Sequence, residues 1–282
     1  MILIQFLNAL QFSMTLFLLA VGLTIIFGLM KIVNLAHGSL YMVGAYIGLS
    51  IFNYTESFWL ALIFAPILTG LIGAFLYTLL FRHIQNADPM KQVLLTFGLI
   101  YIGLDSVRLL WGTMSHSISA PSILSNPVLL IDEPYPAYRL FVITIGLLVL
   151  FSLYFILEKT KIGAKVRASV DDPETAQLLQ INTDKILFYT FALGCGLAGL
   201  AGITVAPILG VEPGMDMEVL VLTLIVVVVG GPGSLKGALI GSLLIGFVDS
   251  FGKVYIPQLA QIIIYAVMAL TLLFKPDGLY KR

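Results

Sequence analysis

Four residues near the start of the chain, Asn34, His37, Gly38 and Ser39, could do chemistry inside a membrane. They follow an uncharged apolar run over residues 1–30, and apolar sequence resumes directly after them. Polar side chains are costly at membrane depth, and irregular backbone is tolerated there only where it is buried in protein or lines a cavity. We predict that this segment lines a translocation pathway. The alternative is structural: Asn34 and His37 would bind carbonyl groups freed by a helix break and hold two helices together.

A second group of candidates, Gly230, Gly231, Gly233 and Ser234, interrupts the apolar sequence in the C-terminal third of the chain. Successive backbone N–H groups in a glycine-rich run can converge on an anion such as a carboxylate. Glycine and proline together are also the ordinary composition of a tight turn, and this alternative stays open. From the helix breaks and their polarity, we predict that this segment lines the same pathway as the first.

The elements that position these residues must be membrane helices. Hydrophobic residues make up 59% of the chain and charged residues only 11%, with a mean hydropathy of +1.03. An ordinary soluble domain carries about a quarter charged residues, so the composition excludes that class. The composition predicts an all-α fold, a polytopic transmembrane helix bundle.

The apolar runs predict eight or nine membrane segments in one domain over residues 1–282, some of them short or broken. The segments cover about residues 6–30, 38–52, 57–80, 92–112, 138–157, 186–208, 217–231, 237–252 and 257–274. The second would reach only about 22 Å as a helix, which is less than a hydrocarbon core of roughly 30 Å.

The distribution of Lys and Arg predicts the orientation, because short cytoplasmic loops carry an excess of both. If nine segments alternate, twelve of the fifteen basic residues fall on one side, including Lys281 and Arg282. The loop over residues 158–185 alone carries five of them. We therefore expect this loop and the C-terminus to be cytoplasmic.

The sequence contains no constellation typical of catalysis or metal binding. The three histidines, His37, His83 and His116, are scattered, and Cys195 lies apart from them. The chain also lacks the phosphate-binding pattern G-x-x-x-x-G-K-[ST]. We expect no catalytic residue, no metal, no cofactor and no nucleic-acid partner, and any ATP-driven work must be done by another polypeptide.

The polar loop carries the signals of one short helix. Asp172 suits the N-cap, Pro173 the first helical position and Glu174 the positive helix end. A helix of about two turns is not stable alone, so its apolar residues, such as Leu178 and Leu179, must pack on something. That could be the lipid headgroups, or a groove on a cytoplasmic partner.

Three stretches together resemble the membrane permease subunit of branched-chain amino-acid ABC importers, the LivH type. The stretches are GLTIIFGLMKIVNLAHGSLYMVGAY (22–46), GAKVRASVDDPETAQLLQIN (163–182) and VVVVGGPGSLKGALIGSLLIG (226–246). They occur in the order that the family has, and the resemblance extends over nearly the whole chain.

The resemblance implies an importer complex with two permease subunits, two cytoplasmic ATPases and an extracytoplasmic substrate-binding protein. It favours a second permease that is a different chain. It implies that a coupling helix contacts an ATPase through Asp171, Asp172, Pro173, Glu174, Thr175, Ala176, Leu178 and Leu179. It also implies that acidic outer loops meet the binding protein, with Asp132, Glu133, Glu212, Asp216 and Glu218 in those loops.

This sequence departs from the family pattern at one position of the coupling loop. Where the family has glycine in a Leu-Gly-Ile-Asn-like ending, this chain has Gln180. Since glycine is the usual residue of a left-handed helix end, we expect this helix to end differently.

A different class of function stays open on the residues alone, namely a self-sufficient ion-coupled secondary transporter or a channel. Asp105 or His37 would then bind the coupling ion. The small number of ionisable groups inside the apolar segments speaks against this class. Asp105 and Arg108 are three positions apart on one predicted helix, so we expect them to neutralise each other.

Overall fold

The computed structural model describes residues 2–32, 34–85, 87–130 and 133–280. The predicted positions of Asp132 in an outer loop and of Lys281 and Arg282 at the cytoplasmic side lie outside these described residues. The helices are α1 (Ile2–Met30), α2 (His37–Thr55), α3 (Phe58–Leu76), α4 (Arg82–Ile84), α5 (Pro89–Trp111), α6 (Ser122–Ser125), α7 (Ala137–Lys159), α8 (Lys161–Asp171), α9 (Pro173–Leu178), α10 (Thr183–Leu209), α11 (Met215–Gly230), α12 (Leu235–Tyr255) and α13 (Ala260–Phe274). A π-helical turn (Tyr77–Phe81) joins α3 to α4.

The bundle is organised around α1. Every residue from Ser13 to Ile26 is buried, and α1 packs against α7, α10, α11 and α12. A second packed layer consists of α2, α3 and α10, whereas α5 packs mainly against α2. Helices are the expected form for these apolar segments, because backbone polar groups inside lipid must be satisfied within the segment. The predicted helical bundle is confirmed.

One small departure from the predicted all-α fold lies between α6 and α7. Strands β1 (Pro127–Leu130) and β2 (Glu133–Pro136) form an antiparallel two-stranded sheet. Both strands contain proline, which suits a strand with an unpaired edge because proline cannot donate a ladder hydrogen bond.

Seven helices among the described residues are long and apolar enough to cross a membrane, so the predicted count of eight or nine segments is not confirmed. These spans are Ile2–Met30, Phe58–Ile84, Pro89–Trp111, Ala137–Lys159, Thr183–Leu209, Leu235–Tyr255 and Pro257–Phe274. The two predicted segments outside this set are α2 and α11. Helix α11 has only 16 residues, and α2 carries His37, Asn53 and several serine and glycine residues.

The helices approach one another closely at small residues. A Cβ atom added to Gly22 of α1 would lie 2.6 Å from the carbonyl oxygen of Gly194 in α10, and one added to Gly44 of α2 would lie 2.3 Å from the Cα of Gly199. Cys195, fully buried, packs against Gly73 of α3. Small residues permit such backbone approach inside membranes.

Contacts between distant segments define two ends of the bundle. At one end, the turn after α11 packs on Gly28 of α1 and on Tyr280, and Arg82 forms an ion pair with Asp184 at 3.4 Å. Helices α8 and α9 lie at this end, which we call the basic end. At the opposite end, the Arg139 side chain donates to Asn8 Oδ1 at 2.5 Å. Asp105 and Arg108 form the expected ion pair, 3.6 Å apart and exposed.

Candidate functional site

The first candidate segment contains a break between α1, which ends at Met30, and α2, which begins at His37. Helix α1 ends at Met30, and Lys31 has a left-handed φ of 55°. Asn34 lies within the break and is fully buried, whereas His37 is the first residue of α2. The two therefore do not share a helix face, and Gly38 lies inside α2 rather than at the break.

His37 connects the start of α2 to the middle of α1. Its Nε2 lies 3.1 Å from the carbonyl oxygen of Leu19, and the side chain is buried. A Cβ atom on Gly22 would lie 3.0 Å from His37 Cε1, so the glycine leaves room for the imidazole. The structural role predicted for His37 fits this contact, although the bonded carbonyl belongs to α1 and not to the break.

Asp216 is a site residue that the sequence placed in an outer loop. The structure corrects this: Asp216 lies in the first turn of α11 and is only 2% exposed. Ser39 Oγ donates to Asp216 Oδ2 at 2.9 Å, and a Cβ atom on Gly38 would lie 2.7 Å from the Asp216 carbonyl oxygen. The N-terminal ends of the two short helices α2 and α11 therefore meet beside the middle of α1. An acidic residue suits this place, because helix N-termini favour negative charge.

Several buried polar atoms around this meeting point have no hydrogen-bond partner among the described residues. They are both side-chain polar atoms of Asn34, Nδ1 of His37 and Oδ1 of Asp216. Unpaired polar groups are costly in a protein interior, and inside a membrane they mark functional positions. Asn34 thus makes none of the carbonyl contacts that the structural alternative requires of it.

A cavity of about 310 Å³ lies beside Ser39, between α2, α3 and α5. Its walls are almost entirely apolar, including Val43, Ile47 and Leu99, and Ser39 and Ser106 are the hydroxyl groups that line it. Since Ser39 also binds Asp216, one end of an apolar cavity is connected to a buried carboxylate. This combination could hold a small molecule with both a polar and an apolar part.

The second candidate segment does not lie beside Ser39 and Asp216. Gly230 ends α11, Gly231 and Gly233 have left-handed φ values of 101° and 81°, and Ser234 caps α12 by accepting from the Gly237 N–H at 3.1 Å. The segment forms a turn at the basic end. Asp216 and Gly230 lie at opposite ends of α11, about 21 Å apart at 1.5 Å per residue.

The predicted coupling residues form a capped short helix that protrudes at the basic end. The Thr175 N–H and hydroxyl both donate to the Asp172 carboxylate, at 3.0 and 2.5 Å. The hydrogen bond from the Thr175 hydroxyl has the larger effect and the one from its N–H the smaller, and both hold the pKa of the Asp172 carboxyl below its usual range. The carboxylate is therefore ionised at neutral pH, and the stability that this cap contributes is lost as the pH falls through that pKa. Pro173 occupies the first turn of α9, and Glu174 lies beside it.

The apolar residues of α9 point in two directions. Ala176 is buried at 2% exposure and packs toward the bundle, whereas Leu178 and Leu179 are 84% and 69% exposed. Asp171, which ends α8, is also exposed. An adjacent pair of exposed leucines at the tip of a short helix is the feature that a partner groove would bind.

A family model described as branched-chain amino acid transport system / permease component matches residues 5–272. The chain belongs to this family. It is therefore an integral multi-pass membrane protein and a permease subunit of an ABC importer, which confirms the predicted class.

Two permeases are similar to it over almost their whole length. BraD, a high-affinity branched-chain amino acid transport permease of Pseudomonas aeruginosa, is 27% identical over 99% of this chain and 95% of that protein. LivH of Escherichia coli is 25% identical over 99% of this chain and 95% of that protein. The autoinducer 2 import permease LsrC of Yersinia pestis is 27% identical over 45% of this chain and 36% of that protein. No solved structure matches the chain.

The end of α9, the predicted coupling helix of this permease, differs from the expectation for Gln180. The residue adopts the left-handed conformation, with φ of 60°, that a glycine would adopt. The Gln180 N–H donates to Gln177 O at 2.9 Å and the Ile181 N–H to Ala176 O at 3.0 Å, the two bonds of a Schellman motif. The predicted different ending is therefore wrong, because the two hydrogen bonds compensate for the strain of a non-glycine residue.

Replacing Gln180 by Gly should stabilise this helix end by about 1 kcal/mol, since a left-handed residue with a Cβ atom costs roughly that much. The measurement is hydrogen exchange of two backbone amides, the one at position 180 and that of Ile181, whose protection against exchange should rise about fivefold. Gln177→Gly is the control and should lower protection, because it weakens the helix interior. Unchanged protection in Gln180→Gly would contradict the strain.

The part of the chain that the structure describes has no group of three or more His, Cys, Asp or Glu residues able to hold a metal ion.

The sequence analysis missed Asp216 as a site residue because a carboxylate between two apolar runs looks like part of an outer loop. A signal was present in its position at the start of an apolar helical run, where it is an N-terminal acidic residue.

Proposed function

We propose that this permease imports branched-chain or similar apolar amino acids across the cell membrane, as one permease domain over residues 1–282. The match of residues 5–272 to the family carries this proposal, and the names of BraD and LivH support the substrate class. ATP hydrolysis takes place in partner subunits, because this chain has no phosphate-binding motif.

The cavity between α2, α3 and α5 supports an apolar amino acid as substrate. Its apolar walls suit an aliphatic side chain, and its volume of about 310 Å³ is at the lower end of small-ligand pockets. Ser39 and the N-terminal end of α2 lie at the polar side of the cavity, where a carboxylate is favoured by helix N–H groups and an ammonium group by the nearby Asp216. Asn34, His37, Gly38 and Ser39 would thus border the pathway.

The exposed surface of α5 supports a second permease subunit as the other wall of this pathway. Leu94 and Leu109 on α5 are 71% and 87% exposed, and α5 itself is the side of the cavity that packs least against the bundle. A second permease, which the family resemblance suggests is a different chain, would cover this helix and enclose the cavity.

The remaining partners follow from the two ends of the bundle. The basic end, which holds Asp171 to Leu179 and Tyr280, faces the cytoplasm and two ATPase subunits, as the excess of basic residues supports, and the C-terminus is cytoplasmic as well. The opposite end faces an extracytoplasmic substrate-binding protein. Exposed Glu212 belongs to that end, whereas buried Asp216 does not contribute to such a surface.

Filling the cavity should stop transport. Ile47 lines the cavity on α2, so Ile47→Trp should reduce ATP-driven uptake of radiolabelled leucine into proteoliposomes by at least tenfold. Ile67→Trp is the matched control, because Ile67 is 51% exposed on the surface of α3 and its replacement should leave uptake within about twofold. The assay uses the complete complex, with amounts of assembled protein equalised. Full uptake by Ile47→Trp would exclude this cavity from the pathway.

Removing the His37 imidazole should slow uptake severalfold and leave assembly intact. The ring binds the Leu19 carbonyl with one nitrogen and has a second, Nδ1, without a partner among the described residues. His83→Ala is the control, since His83 is exposed near the basic end. Initial uptake rates and co-purification of the ATPase are measured together. Unchanged kinetics in His37→Ala would remove this residue from the mechanism and keep it as a packing residue.

ATP dependence separates this proposal from an ion-coupled carrier. Uptake should stop on ATP depletion and continue in the presence of ionophores. The exposed ion pair of Asp105 with Arg108 gives no support to a buried ion site at Asp105.

A further inference from the structure

A groove at the basic end is separate from the cavity beside Ser39. It has a volume of about 310 Å³ and lies between the C-terminal half of α1, the end of α7, helix α8 and the start of α12. We call it the basic-end groove. Its apolar floor includes Ile25, Leu29 and Leu157, and its polar rim includes Arg167, Lys236 and Glu158.

The charges on this rim do not cancel. Arg167 is 3.7 Å from Glu158 and also donates to the Leu157 carbonyl, so its guanidinium is held in place at the groove. Lys236 is exposed, and no ion pair is formed by it within the described ranges. Two cations and one carboxylate leave a single positive charge, which is complementary to one phosphodiester.

The start of α12 adds hydrogen-bond donors to the same rim. Ser234 Oγ satisfies the N–H of Gly237, while the first helical N–H groups, of Leu235 and Lys236, have no intrahelical acceptor. Gly233 lies against Gly28, where an added Cβ atom would be 2.9 Å from the Gly233 Cα, so this turn can lie close to α1 beneath the rim. The anion-binding alternative considered for this glycine-rich turn is thus supported by two cations, Arg167 of α8 and Lys236 in the first turn of α12.

An apolar surface continues from the groove along α7. Tyr154 lines the groove and is 41% exposed, and Phe151 and Phe155 beside it are 64% and 62% exposed. An acyl chain can lie along such a surface where it faces the lipid. A ligand that fits both parts has an anionic head at the rim and an apolar chain along α7.

We propose that the basic-end groove binds the phosphate of an anionic phospholipid, with the headgroup phosphate between Arg167, Lys236 and the start of α12, and an acyl chain along the exposed face of α7. Basic pockets between membrane helices have the chemistry for such headgroups. The proposal does not depend on the transported substrate or on the cavity beside Ser39.

The test measures phosphatidylglycerol bound to the full-length chain after delipidation in detergent, by native mass spectrometry during titration. The unmodified chain should retain one tightly bound phosphatidylglycerol in preference to phosphatidylcholine. Lys236→Gln should weaken that site about fivefold, the contribution of one basic residue near an anionic lipid surface. Lys161→Gln is the control, because Lys161 is exposed on α8 and does not line the groove. Lys236 is exposed, so its replacement should not affect folding.

A competition arm identifies the source of the phosphate. Inorganic phosphate at millimolar concentration should fail to displace phosphatidylglycerol, because it lacks the acyl chain. If inorganic phosphate displaced phosphatidylglycerol, and Lys236→Gln still weakened phosphatidylglycerol binding about fivefold, the lipid assignment would be overturned in favour of a free anion. Equal binding of phosphatidylglycerol and phosphatidylcholine, or no difference between Lys236→Gln and Lys161→Gln, would overturn the proposal as a whole.

Discussion

Replacing Leu178 and Leu179 together by Asp should detach the ATPase and abolish ATP-driven uptake. The two side chains are the exposed apolar pair at the end of α9, the predicted coupling helix, at 84% and 69% exposure. Buried apolar anchors at an interface typically contribute about 2 kcal/mol or more each, so we expect the affinity for the ATPase to fall at least 100-fold. The measurement is co-purification of the ATPase with the permease from native membranes, together with uptake.

Helix α9 itself should survive this change, since its cap at Asp172 and the buried Ala176 remain. Ile162→Asp is the matched control, because Ile162 is 65% exposed on α8, outside the predicted coupling residues. An ATPase retained by the double variant would place the docking surface elsewhere. Loss of the ATPase in Ile162→Asp as well would indicate that any charge at the basic end disrupts the complex.

Replacing Asp216 by Ala should reduce uptake at least tenfold while the complex still assembles. The change leaves the Ser39 hydroxyl without its acceptor in a buried place, which costs about 1–3 kcal/mol, and removes the carboxylate at which two helix N-termini meet. Initial uptake rates and ATPase activity are measured on the same preparation. We expect ATPase activity to persist, because Asp216 lies in the first turn of α11, remote from the basic end where the predicted coupling helix lies.

Two further variants separate the charge from the hydrogen bond. Asp216→Asn keeps an acceptor for Ser39 and loses the charge, whereas Ser39→Ala keeps the charge and loses the hydrogen bond. If the charge contacts the substrate, Asp216→Asn should raise the KM for uptake, and Ser39→Ala should do so less. Glu218→Ala is the control, since Glu218 is in the same helical turn and exposed. Wild-type uptake by Asp216→Ala would show that the meeting point of α2 and α11 has no part in transport.

The hydrogen bond between Ser39 and Asp216 could not be predicted from the sequence. The residues are 177 positions apart, and in the sequence Ser39 lies at an apparent break whereas Asp216 lies in an apparent outer loop. Their contact depends on the chain returning from Met30 to the level of Leu19 before α2 begins. No local pattern specifies how far a chain returns after a helix break, because packing against other helices decides it.

Features that depend on neighbouring residues could be predicted. Long apolar runs determined the membrane helices, since lipid leaves backbone groups no other partners. The cap of α9 at Asp172 and Pro173 followed from the chemistry of two adjacent residues. The ending at Gln180 was not predicted: the family resemblance marked the position as one where glycine is usual, but the left-handed conformation of Gln180 itself was not expected.

The sequence by itself determined that this is a membrane protein, where its long apolar helices lie and how the short helix α9 is capped, because composition, apolar length and capping residues act over a few turns of chain. The tertiary structure alone decided which polar groups share a site. It joined Asp216 to Ser39, separated Gly230–Ser234 from both, and turned Leu178 and Leu179 outward. The physical reason is that burial and pairing of a polar group depend on the helices packed around it, and these come from distant parts of the chain.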